Sequence, residues 1–147
     1  MTAAIRLVTF LVVALLCQRP WQHARAQQVV LISDGVAVVS IEGEILDSSR
    51  VRHVIRLDID NSILRITGNN VDWRFAILDA QKMENEDEDE AESREVWVMN
   101  AIDQKSDSYV IFLYKRQISE EQSVISMIAV FDKEDQSSIA FYDLKLL

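Results

Sequence analysis

The chain reads as an all-β protein: an antiparallel up-and-down meander of about eight or nine strands, closed into a barrel, with a two-sheet sandwich as the alternative. Three observations carry this. Apolar residues recur with period two rather than 3.6, as in VRHVIRLDID, residues 51–60. Links such as DQKSDS, ISEEQ and DKEDQS are short and polar, which suits hairpins between consecutive strands. Nine strands with an apolar face need a second sheet or closure to cover it, and up-and-down order favours closure.

The first 26 residues read as a cleaved signal peptide and stand outside the fold. Arg6 precedes the apolar run LVTFLVVALL, residues 7–16, which is too short to span a bilayer as a helix. Ala24-Arg25-Ala26 is a small-x-small cleavage site, so the mature chain begins at Gln27. Lipidation at Cys17 is disfavoured because Leu15 and Leu16, just before it, are not small. Residues 27–147 are then a single exported β domain, periplasmic or extracellular, with no stable membrane span. Cys17 is the one cysteine, so the mature domain has no disulfide and depends on its core. Loss of Arg6, Arg19 and Arg25 with the signal deepens the net charge from −9 to −12. Such a surface repels nucleic acid and steers a cationic partner toward it.

The strands follow in order. QVVLIS (28–33) and VAVVSIEGEIL (36–46) flank Ser33-Asp34-Gly35, which reads as a turn. In residues 51–60, Val51, His53, Ile55, Leu57 and Ile59 share one face. SILRIT (62–67) precedes the turn Gly68-Asn69-Asn70. The hairpin between these two runs has two candidate registers. A turn at Asp60-Asn61 opposes Arg56 and Arg65; one at Asn61-Ser62 opposes Asp58 and Arg65, and cross-strand charge favours the second. VDWRFAILD (71–79) places Val71, Trp73, Phe75 and Ile77 inward. EVWVMNA (95–101), YVIFLYKR (109–116), VISMIAVF (124–131) and SIAFYDLKL (138–146) complete the meander.

Between the strand ending near Asp79 and the one starting near Glu95 lies KMENEDEDEAESRE, residues 82–95. Its carboxylates repel one another and offer no apolar face, so a solvated loop at about 80–94 is expected. It lacks the glycine and the ligand spacing of a calcium loop. Glu84, Glu86, Asp87, Glu88, Asp89 and Glu90 are the candidate partner-binding residues, for a cationic protein.

No catalytic motif occurs, and the sequence calls for no enzyme, no cofactor and no metal. His53, on an apolar strand face, is expected to be a core-edge histidine with a hydrogen-bonded partner. His53, Trp73 and Phe75 are the candidate ligand-contacting residues if the barrel holds a pocket; its large inward residues favour a filled interior instead. The meander resembles lipocalin-type and calycin-type barrels in architecture. The lipocalin G-x-W signature is absent, since Gly35 is followed by Val36-Ala37, so the resemblance implies a fold and carries no function. The expected role is an exported, non-enzymatic binding module whose acidic surface meets a protein partner. The alternative is a carrier barrel for a small apolar ligand.

Overall fold

A computed structural model describes residues 27–83 and 94–147. The signal-peptide reading of residues 1–26 and the acidic segment at 84–93 lie outside the described residues. Nine strands follow in order: β1 (Gln28–Ser40), β2 (Ile45–Ser49), β3 (His53–Asp58), β4 (Ile63–Gly68), β5 (Val71–Met83), β6 (Arg94–Ile102), β7 (Ser108–Gln117), β8 (Ser123–Asp132) and β9 (Ser137–Leu146). Each strand from β3 to β9 pairs antiparallel with the next, β1 pairs with β3, and β9 returns to pair with β1. The barrel is closed, so a sandwich is excluded. β2 stands outside the ring, paired to Val36–Val39 of β1, and is exposed along its whole length.

Period two builds the core. Ile55, Leu57, Leu64, Ile66, Phe75, Ile77, Met99, Ile111, Leu113, Ile128 and Phe141 meet inside the ring. Full burial of each such side chain contributes about 1.5–3 kcal/mol. With no disulfide among the described residues, this packing and the closed ladder hold the fold.

Four sequence expectations are corrected. Ser33-Asp34-Gly35 is no turn: β1 runs through it. The β1–β9 register is unchanged across the triplet, with Ser33 opposite Leu144 and Gly35 opposite Tyr142. The buried Ser33 hydroxyl lies 2.7 Å from the Gly35 carbonyl and 2.9 Å from that of Tyr142. Gly35 admits the Tyr142 ring; a Cβ there would lie 2.2 Å from its Cε2. Second, the strand read as 36–46 is split, and part of the LDSSR link forms β2.

Third, the β3–β4 hairpin takes the rejected register, with Arg56 opposite Arg65 and Asp58 opposite Ile63. Arg65 finds its countercharge on the other side, donating to both carboxylate oxygens of Asp72 at 3.0 and 2.9 Å. Asp58 instead holds the loop, accepting from the Asn61 backbone and side chain at 3.1 and 2.9 Å. That four-residue loop lets Ile59 plug the barrel end at 1 % exposure. Fourth, β5 continues past Asp79 to Met83. A bulge at Leu78 makes this possible: strict alternation would turn Asp79 inward, and the extra residue sends Ala80 in instead.

Candidate functional site at the barrel mouth

The strands are staggered, as closure of a ring requires. Pairing of β5 with β6 begins only at Ala76 opposite Ile102. Residues 71–75 of β5 therefore overhang β6 and are paired on the β4 side alone. The space beside them is bounded by the β6–β7 turn and the β8–β9 turn. It forms a cavity of about 450 Å³ at the barrel mouth, lined by residues of β5, β7, β8 and β9. Since β5 does not neighbour β8 or β9 in the sheet, a cavity that touches all three lies across the open end of the barrel.

Its apolar wall comes from alternation. Trp73 and Phe75 point inward from the overhang, Tyr109 from the first inward position of β7, Val130 from β8 and Ile139 from β9. The rings meet edge to face: Trp73 to Phe75 at 6.4 Å, Phe75 to Tyr109 at 5.0 Å, and Trp73 to the core ring Phe141 at 6.3 Å. The rim is polar, with Asp72, Asp103, Asp132 and Asp135 beside Arg74 and Lys105. Two of these acids also shape their turns. Asp103 Oδ1 accepts from the backbone of Lys105 and Asp107 at 2.8 and 3.0 Å. Asp132 Oδ1 accepts from the backbone of Glu134 at 2.8 Å.

The carboxylates set the local electrostatics. Tyr109 is pushed above the ordinary phenol range, first by burial and then by the charges of Asp103, Asp132 and Asp107. Its hydroxyl lies 3.4 Å from Asp103 Oδ2. Asp72 is held below the usual carboxylate range, chiefly by its hydrogen bonds from Arg65.

Of the ligand-contacting candidates named from sequence, Trp73 and Phe75 line this cavity and His53 does not. His53 is 3 % exposed, packed edge to face on Phe141 at 5.2 Å. The expected hydrogen-bonded partner is missing from one nitrogen: Nδ1 is buried without a partner among the described residues. β3 sets His53 opposite Ser33 of β1, whose hydroxyl is already engaged by the Gly35 and Tyr142 carbonyls, and the imidazole packs on Phe141 instead. No carboxylate is buried among the described residues. Nor do three His, Cys, Asp or Glu side chains converge there to hold a metal. The partner-binding candidates Glu84, Glu86, Asp87, Glu88, Asp89 and Glu90 lie outside the described residues.

Sequence reasoning missed Tyr109, Asp103, Asp132 and Asp135. Each acid sat in a link read only as polar, and no local pattern shows that the links at 103–107 and 133–136 meet over the start of β5. Comparison of the chain with family models, with curated proteins and with solved structures gave no match.

Proposed function

We propose that this protein is a non-enzymatic binding module that seats a small ligand in the mouth of its barrel. The observation that supports it is the cavity itself, with an aromatic and aliphatic wall of Trp73, Phe75, Tyr109, Val130 and Ile139 beneath a polar rim. A concave apolar surface with a few polar groups at its edge is the usual form of a small-molecule site, and its volume falls in the range of about 300–1,000 Å³ typical of such sites. The packed core below it fixes the wall without entering the cavity. In this reading the ligand occupies the mouth and leaves the centre of the barrel filled.

The test uses N-phenyl-1-naphthylamine, a neutral apolar fluorophore. Its emission should rise saturably, at one equivalent per chain. Ser137→Trp, which places a large ring at the cavity edge, should weaken binding by roughly tenfold or more, as expected when a ligand must share a filled pocket. No saturable binding, or binding unaffected by Ser137→Trp in a folded variant, would overturn the proposal.

A further inference from the structure

We propose that the outer face of strands β6 to β9 is the interface of a weak, reversible homodimer, in which two copies of this chain pack sheet on sheet. This surface is separate from the barrel mouth and stands independently of the reading given to it.

Alternation sends every second residue of a strand outward, and the register stacks these residues in three rows across four strands. Asn100, Val110, Phe131 and Ser138 form the row nearest the mouth. Val98, Phe112, Ala129 and Ala140 form the middle row, and Val96, Tyr114, Met127 and Tyr142 the third. None of these residues is charged, on a chain whose net charge is −9. The other side of the barrel is different: outward positions of β3, β4 and β5 carry Arg56, Arg65, Asp72 and Arg74. Ala129 and Ala140 are buried beneath larger neighbours yet lie outside the inner core, so the middle row is a hollow beside the Phe112 ring. Phe112 and Tyr114 are partly exposed and stack with centroids 6.5 Å apart. Contiguous apolar surface of this kind marks an interaction site.

The face has no charge to select a charged partner, and it is complementary to itself. A two-fold axis parallel to the strands, midway between β7 and β8, lays β7 of one copy on β8 of the other and β6 on β9. Phe112 then enters the hollow at Ala129 of the second copy, and Val98 faces Ala140. Tyr114 meets Met127, a ring against a thioether, and Val110 meets Phe131. Asn100, whose Nδ2 is held by Asp79 at 2.8 Å, brings its Oδ1 to the Ser138 hydroxyl. The axis makes every contact twice. Four strands about 4.8 Å apart and about 20 Å long present about 400 Å² per copy. That is about half of what a standard stable interface buries per partner, so the association is transient, with a Kd of about 10 µM to 1 mM. The like net charge of the two copies opposes it.

Sedimentation velocity of the intact chain, from about 1 µM to about 1 mM, reads the association. A concentration-dependent shift from monomer to dimer is expected, and added salt should strengthen it by screening the repulsion between copies. Phe112→Lys and Ala129→Glu should each weaken it roughly tenfold or more. A mixture of the two variants should recover it to within about threefold, because the axis sets position 112 of one copy against position 129 of the other. Misfolded chains cannot imitate that recovery. Thr67→Lys, on the charged side of the barrel, should leave the association unchanged. Amide shifts of the wild-type chain on dilution, which need no variant, should fall in residues 96–100, 110–114, 127–131 and 138–142. A chain that stays monomeric throughout, association that weakens with salt, or dilution shifts centred elsewhere overturns the proposal. So does a mixture of the folded variants that associates no better than either alone.

Discussion

At the scale of single residues, the mouth is defined by side chains that lie far apart in sequence and whose chemistry depends on being brought together. Tyr109 shows this best. Its phenol is raised by burial and by three aspartates, so the folded state binds the phenolic proton more tightly than the unfolded state does. The stabilising contribution is thus present in full below the unfolded value of about 10 and is lost as pH rises through the higher folded value. A phenolate absorbance titration against Tyr109→Phe should show one tyrosine ionising above about 10, and Asp103→Asn should move it down. A Tyr109 signal at or below the ordinary range would contradict the described site. Little of this was legible in advance. In YVIFLYKR both alternating faces are apolar, with Tyr109, Ile111 and Leu113 on one and Val110, Phe112 and Tyr114 on the other. Period two alone cannot say which face is inside. In VDWRFAILD the alternate positions carry Asp72 and Arg74, and there Trp73 and Phe75 could be placed correctly.

At the scale of elements, patterning located the strands and missed their irregularities. Asn69 and Asn70 take positive φ of 46° and 63°, the conformation a two-residue hairpin turn demands, and that turn was legible. Ser33-Asp34-Gly35 also reads as a turn in sequence, yet it lies inside β1. The difference lies in a partner more than a hundred residues away: Tyr142 needs the space that Gly35 leaves open. The hairpin register failed for a related reason. Charge pairing was weighed between β3 and β4 alone, while Arg65 was already satisfied by Asp72 on β5. The close approach of Gly35 and the Tyr142 ring yields a direct test. Gly35→Ala should destabilise the barrel by about 1–3 kcal/mol, as overpacking does. Adding Tyr142→Ser should recover part of that loss, a coupling visible in a double-mutant cycle by denaturant unfolding. Additive losses would show that the ring and the glycine do not determine one another.

At the scale of the whole molecule, closure links the fold to the site. A ring of staggered strands must end unevenly, and here the overhang of β5 past β6 opens a cavity that the β6–β7 and β8–β9 turns line with carboxylates. The closed barrel was legible because short polar links and a single period leave few other ways to cover the apolar face. The cavity was not, because stagger is a property of the closed ring and appears in no one segment. Met83 and Arg94, which border the acidic segment in sequence, lie at the end of the barrel opposite the mouth. The central claim is that the mouth, and no other surface, takes the ligand. Amide chemical-shift mapping of the intact chain, titrated with N-phenyl-1-naphthylamine, tests it most directly. The account predicts that the largest shifts fall in residues 72–75, 103–109 and 130–139, with little change at the Ile59 plug or along β2. Shifts centred on those two places, or spread evenly over the barrel, would contradict it.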